Sequence, residues 1–208
     1  MTPKPLPWSA PSPLPIRRET PRLLLRYFEP TDAESLVAAL DEDRASFMPW
    51  LPWVPIDNRT IVEAHFNIER FRRERIDGPK DNFVIGIIDR ATGHVVGGTG
   101  LHRMNLATHE AEIGYWTRPS RRGQGLCTEA TEHLIDWAFA PQAAGGWGLR
   151  RLQIYCAARN HASRRVPEKL NLRRESDRRA DRWLDGIGWS DTLGWGVTAD
   201  ERSDRTRS

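Results

Sequence analysis

Residues 118–130, RPSRRGQGLCTEA, set Gly123 and Gly125 among Arg118, Arg121 and Arg122, directly ahead of a helical pattern. Glycines let a ligand approach the backbone closely. Amides at a helix start lack helical partners and lie at the positive end of the helix dipole. A strand running into such a loop makes an anion cradle over which the three arginines can close, and a phosphate or diphosphate suits it. Each charge-assisted hydrogen bond there contributes roughly 1.5–3 kcal/mol. An ordinary glycine-rich turn into a helix is spelled the same way, so the surroundings must decide.

Two phosphate motifs are excluded by spelling. A P-loop ends in Gly-Lys-Ser/Thr, whereas Gly125 is followed by Leu126 and Cys127. A dinucleotide fingerprint needs a third glycine where Thr128 stands and a parallel strand–helix–strand setting. His109-Glu110 opens like a zinc-binding HExxH, but Ile113 ends the match and the segment alternates as a strand, so no metal is expected.

The elements that must position the loop follow from periodicity. RLLLRYF (22–28) reads as a strand, and Thr31 with Glu34 spells a capping box for a helix through Leu40. Thr60 with Glu63 spells a second box, for a helix with Ile61, Ala64, Ile68 and Phe71 on its apolar face. FVIGIID (83–89) and HVVGGTGL (94–101) read as a hairpin, and EIGYWT (112–117) as the next strand of that meander. After the loop come a helix with Ala130, Leu134, Trp137 and Ala138 on one face, the strand LRRLQIYCA (149–157), and a short helix from about His161 to Leu170. The stretch 173–182 reads as a ragged strand or a loop, and TLGWGVT (192–198) as a closing strand. This order describes an α+β fold with helices on the faces of a sheet.

At 208 residues the chain suits one domain. Its 31 Lys and Arg against 28 Asp and Glu leave a charge of +3, too small a surplus for a nucleic-acid footprint, so no direct nucleic-acid partner is expected. Cys127 and Cys156 are too few for a disulfide framework, and no apolar run is long enough to span a membrane, so a cytoplasmic protein is expected. Seven prolines within residues 1–21 favour an extended, solvated arm, and residues 199–208 read as a polar, frayed tail, leaving 22–198 as the domain.

EIGYWTRPSRRGQGLCTEA, followed some thirty residues on by NHASRRVPEKLNL, resembles the Gcn5-related N-acetyltransferases, and FMPWLPWVP (47–55) brings the likeness closest to the RimJ/RimL type. The resemblance implies a single mixed, mostly antiparallel sheet flanked by helices, with acetyl-CoA as co-substrate and no metal. It places pantetheine contacts on the backbone of Tyr115, Trp116 and Thr117. Diphosphate contacts fall on Arg122, Gly123, Gln124, Gly125, Leu126, Cys127 and Thr128. Asn160 would bond the pantetheine arm or cap its helix, and Ser163 would hydrogen-bond the departing thiolate. Gly114 marks a close backbone approach where the sheet can splay.

Glu112 shares a strand face with Gly114 and Trp116, which makes it a candidate general base, and equally a member of a surface ion pair. Trp50 and Trp53 would wall the acceptor pocket or join the core. Cys127 reads as a small apolar residue at a helix start rather than an acylated nucleophile, and His102 as a solvated loop histidine. The acceptor implied is a primary amine, on a protein N-terminus such as that of a ribosomal protein or on a small molecule, reached by direct transfer in a ternary complex. A homodimer is among the expectations, since sheets of this type often meet at an edge. An acyl-CoA-binding sensor without turnover is the alternative.

Three departures from the family pattern stand out. Ser120 takes a position often held by Gln or Arg, Asn171-Leu172 replaces Gly-Phe after the later helix, and Pro167 lies inside that helix. Asn suits a left-handed cap, but an internal proline removes an amide donor.

Overall fold

The computed structural model describes residues 6–207. In chain order its elements are β1 (Arg17–Glu19), β2 (Leu23–Arg26), α1 (Ala33–Asp41), α2 (Arg44–Phe47), α3 (Ile61–Asp77), β3 (Phe83–Asp89), β4 (Val95–Asn105) and β5 (Glu110–Thr117). They continue with α4 (Leu126–Phe139), β6 (Arg151–Ala157), α5 (His161–Lys169), β7 (Arg173–Leu184), β8 (Gly188–Thr198) and α6 (Ala199–Arg207). Among the described residues the strands form one eight-stranded sheet in the order β1-β2-β3-β4-β5-β6-β8-β7. Neighbours are antiparallel except β5 and β6.

The sheet carries a core on each face. Ile85, Leu101, Ile113 and Ile154 join Ala130, Leu134, Ile135 and Ala138 of α4 on one side. Ile88 and Val95 pack with Leu36 and Leu40 of α1 and Ala64 and Ile68 of α3 on the other. The spacing read from the sequence is thus the spacing of burial, although Ile61, at the start of α3, is exposed. β7 is the ragged strand of the two readings, with register shifts at Arg174/Ser176 and Arg178/Arg182. Asn171 takes the left-handed conformation at φ 51°, and Leu172 packs into the core.

Three local expectations change. Thr60 does cap α3, accepting from the Glu63 amide at 3.1 Å, but the first capping box moves from Thr31/Glu34 to Glu29/Asp32. Arg26 on β2 grips the Asp32 carboxylate at 2.6 and 2.9 Å, and that bidentate pair fixes where the turn begins. The described part of the N-terminal arm is extended but not wholly solvated. Trp8 is buried, its Nε1 donates to the Trp147 carbonyl at 2.8 Å, and Arg17–Glu19 pairs with β2. Prolines bar a helix there without preventing one large side chain from entering the core. The C-terminal segment forms α6, and Arg202 binds Asp136 of α4 at 2.6 Å and Glu132 at 3.2 Å, which holds the polar helix in place.

Pairing between β5 and β6 covers Glu110↔Arg151, Ala111↔Leu152 and Glu112↔Gln153 and then stops. Beyond Glu112, β5 stays with β4 and β6 stays with β8. A wedge opens in the middle of the sheet, with α4 and α5 beginning at its mouth.

Candidate active site

The wedge is a cleft of about 610 Å³ lined by Tyr115, Trp116 and Thr117 of β5, the glycine loop, the first turn of α5, and residues of α2 and the segment after it. Along this stretch β5 is paired on one edge only, through Gly100↔Gly114, Thr99↔Tyr115, Gly98↔Trp116 and Gly97↔Thr117. An extended ligand can add to the other edge as a strand would.

At the floor of the cleft Gly123 has φ 76°, and Gly125, at φ 78°, is the N-cap residue of α4. Glycine takes such left-handed backbone without strain, and the space where a Gly123 side chain would begin is empty of other atoms within 4 Å. The loop is braced from β2, because Arg22 donates to the Gln124 carbonyl at 3.0 Å and to Glu129 of α4 at 2.6 Å. Burial opposes the Glu129 charge, but hydrogen bonds from Thr20 and Arg22 outweigh it and hold the carboxyl below its ordinary range. Glu129, Arg22 and Thr20 escaped the sequence reading, since an acid in the first turn of a helix is too common to point to a loop brace.

The three arginines do not act together. Arg118 pairs with Glu42, and Arg121 pairs with Asp89 at 2.6 Å, so each has a carboxylate partner. Arg122 reaches across the mouth, donating to Ser46 Oγ at 3.0 Å with its guanidinium 4.7 Å from the centre of the Phe47 ring. Gln124 turns away from the cleft. Its side chain donates to the Ser120 carbonyl at 3.2 Å and accepts from Arg121, so it shapes the loop rather than lining it. Leu126, Cys127 and Thr128 do line it.

On α5, Asn160 Oδ1 accepts from the Ser163 amide at 3.1 Å, the capping role in full, while both residues also line the cleft. Trp50 lines the acceptor side, but Trp53 lies behind it, packed edge-on to Trp116 at 6.3 Å between ring centres. Phe47 supports the other side of Trp116 at 5.7 Å.

Glu112 sits where the sheet splits, bonded through Oε2 to Arg103 at 2.8 Å, and is not part of the cleft wall itself. The ion-pair reading therefore holds for the structure as it stands, and leaves the catalytic one to experiment. Facing it from β4 is His102, a half-buried strand residue rather than a loop one. Its ring covers Gly100, where a side chain would collide with it, and lies close over Gly114, and Nδ1 meets Asn82 Oδ1. Burial, with Arg103 beside it, pushes the imidazole down to about 4, so it is neutral at working pH.

Burial pushes the Cys127 thiol up to about 11, against the hydrogen bonds with Thr117 and Thr131. A thiol held that way is a poor nucleophile. Iodoacetamide is expected to label Cys127 slowly near neutral pH and faster as the pH approaches about 11. Rapid neutral-pH labelling, followed by intact mass, would contradict this. Among the described residues no three His, Cys, Asp or Glu side chains gather as a metal would need. No helix there is long and apolar enough to cross a membrane.

A mixed sheet splayed at one parallel pair, over a glycine turn at a helix start, is an α+β fold with an open edge for an extended ligand. The chain belongs to the acetyltransferase (GNAT) domain family, whose model matches residues 22–173, and it is an N-acetyltransferase. It is 27% identical over 165 residues to YdaF of Bacillus subtilis (strain 168), which carries a ribosomal N-acetyltransferase name, with 79% of this chain and 85% of YdaF covered. The structure of Mycobacterium smegmatis RimJ in complex with CoA-disulfide superposes with a TM-score of 0.76 at 24% identity, over 93% of this chain and 91% of RimJ. The ribosomal-protein-S5-alanine acetyltransferase of Vibrio fischeri superposes at 0.75 with 19% identity, over 89% and 98% of the two chains.

Proposed function

We propose that this N-acetyltransferase carries an acetyl group from acetyl-CoA directly to the N-terminal amine of a protein, both substrates being bound at once. The observation that carries the reading is the meeting, in one cleft, of the half-paired edge of β5 and the backbone of Gly123, Gly125, Leu126, Cys127 and Thr128, where the amides of the first turn of α4 have no helical acceptor. Those amides with Arg122 suit a diphosphate, and the edge at Tyr115–Thr117 suits the amide-bearing pantetheine arm, with Asn160 near enough to join it. RimJ, solved with a CoA-disulfide, supports the cofactor, and the ribosomal names among the relatives support a protein N-terminus over a small amine.

The remaining groups divide the work of acyl transfer. The amine must lose a proton, the carbonyl oxygen must be stabilised as it gains charge, and the sulfur must be stabilised as it leaves. Glu112, at the apex of the wedge, takes the proton through a water, with neutral His102 alongside. A backbone N–H of Tyr115 or Trp116 serves the oxygen, and Ser163 serves the sulfur. Trp50 and Trp116 flank the acceptor.

The reading is tested by giving the purified protein isotopically labelled acetyl-CoA and a desalted host lysate with its small-metabolite fraction added back, then locating the label by mass spectrometry. Label on protein N-termini is the expected result. Label confined to small molecules would overturn the acceptor, and binding of acetyl-CoA with label nowhere would make the protein an acyl-CoA sensor.

The cradle has its own test. Gly123→Ala forces a side chain into left-handed backbone at a strain of roughly 1–2 kcal/mol and points a methyl at the diphosphate position. Acetyl-CoA Kd by calorimetry is expected to rise about tenfold, in line with the loss of roughly one hydrogen bond to a charged group. An unchanged Kd would place the diphosphate elsewhere.

A further inference from the structure

Pro167 lies inside α5. In an α-helix the carbonyl of residue i accepts from the amide of residue i+4, so proline at 167 leaves the Ser163 carbonyl without its helical donor. The pyrrolidine ring also presses on that same carbonyl. A carbonyl orphaned inside a folded protein must find another donor or lose stability.

The donor comes from across the cleft. Tyr115 Oη donates to the Ser163 carbonyl at 2.9 Å, and Ser163 Oγ lies 3.4 Å from the same phenol as donor to it. With the Ser163 amide held by Asn160 at 3.1 Å, the nitrogen, the carbonyl and the hydroxyl of this one serine are all engaged. Tyr115 belongs to β5 and Ser163 to the helix after β6, so the bond spans the two walls of the wedge, and both residues line the cleft. Burial keeps the phenol well above its ordinary range, and it stays a donor throughout working pH.

We propose that Tyr115 is a positioning residue for acetyl transfer: its hydroxyl replaces the amide that Pro167 lacks, braces α5 against β5, and sets the Ser163 hydroxyl where the leaving sulfur forms. This rests on the reading that Ser163 serves that sulfur. As the amine nitrogen bonds the acetyl carbon, the C–S bond breaks and sulfur keeps its electron pair as a thiolate. Ser163 O–H, which donates to Tyr115 at rest, turns to donate to the thiolate. The proton released by the amine passes through a water to Glu112, and solvent supplies the one that completes the thiol. An unbraced first turn would leave that hydroxyl free to point elsewhere, and Pro167 ensures that no helical amide competes for the carbonyl.

The test is a double-mutant cycle on kcat with acetyl-CoA and a panel of synthetic peptides with free N-termini, the fastest serving as acceptor. Ser163→Ala is expected to slow kcat about 10–100-fold, the range for a hydrogen bond to a charged group, and Tyr115→Phe about tenfold, with acetyl-CoA Kd changed less than about twofold. The double variant is expected to be no slower than Ser163→Ala, because Tyr115 acts through the serine. Multiplying effects would overturn the positioning role.

Pro167→Ala returns the helical amide. Added to Tyr115→Phe it is expected to recover thermal stability but not kcat, and full recovery of kcat would reduce the brace to helix packing and overturn the proposal. Should Tyr115→Phe alone fail to fold, this double variant carries the same comparison. Acetyl-CoA binding by the wild type without transfer to any peptide would overturn both the acceptor reading and the positioning role, whereas wild-type transfer with multiplying variants overturns the latter alone.

Discussion

Glu112→Gln is expected to slow turnover about 10²-fold or more at saturating substrates while leaving acetyl-CoA affinity within about twofold, the size of effect general-base removal has elsewhere. The substitution keeps the shape of the side chain and a hydrogen-bonding oxygen for Arg103, so the fold loses only an ion pair whose arginine is 78% exposed. Pairs so open to solvent contribute about 0–1 kcal/mol, too little to disturb the sheet. What the amide cannot do is accept the proton that the amine must shed. His102 does not replace it, since imidazole at that site titrates near 4 and is a weak base at neutral pH. Turnover close to wild type would remove Glu112 from the chemistry and leave it as the ion-pair partner of Arg103.

Trp147→Ala is expected to destabilise the protein by about 3–5 kcal/mol, the range for losing a large buried aromatic, seen as a lower urea midpoint with an unchanged slope. Trp147 is 0% exposed, packs edge-on to Phe83 at 4.6 Å and to Trp137 at 6.1 Å, and its carbonyl receives the Trp8 indole. Its own Nε1 has no hydrogen-bond partner among the described residues, so the loss is one of packing and cavity. A loss below about 1 kcal/mol would mean that the site collapses around the smaller residue. The wedge is built from other elements, so acetyl-CoA binding by the folded variant is expected to persist.

The two cases differ in how they could be found. Glu112 is visible in EIGYWT because alternation along a strand declares its face. Trp147 sits in AGGWGL, among glycines that spell a loop, and nothing local reveals that this loop folds back under β3 and α4. The arginines divide in the same way. RPSRR presents three equivalent cations, yet Arg118 answers to Glu42 and Arg121 to Asp89, both far away along the chain. Of the three, Arg122 is the one that reaches across the mouth of the cleft to Ser46 and Phe47, while Arg121 lines it with its charge paired.

By itself the sequence determined the order and kind of most elements from β2 to β8, the glycine turn into α4, the cap on α5 and the family. Each of these is written in local periodicity or in the φ preference of single residues, and such signals survive without knowledge of what lies across the sheet. The tertiary structure decided where the members of each group stand: Trp50 and not Trp53 on the cleft wall, Gln124 bonded within its loop, Trp8 in the core, His102 in a strand. It also made sense of Pro167, whose missing amide is supplied by Tyr115 from another strand. Pairings of that kind depend on where distant segments meet, and a partner's identity is not encoded in the residue that needs it.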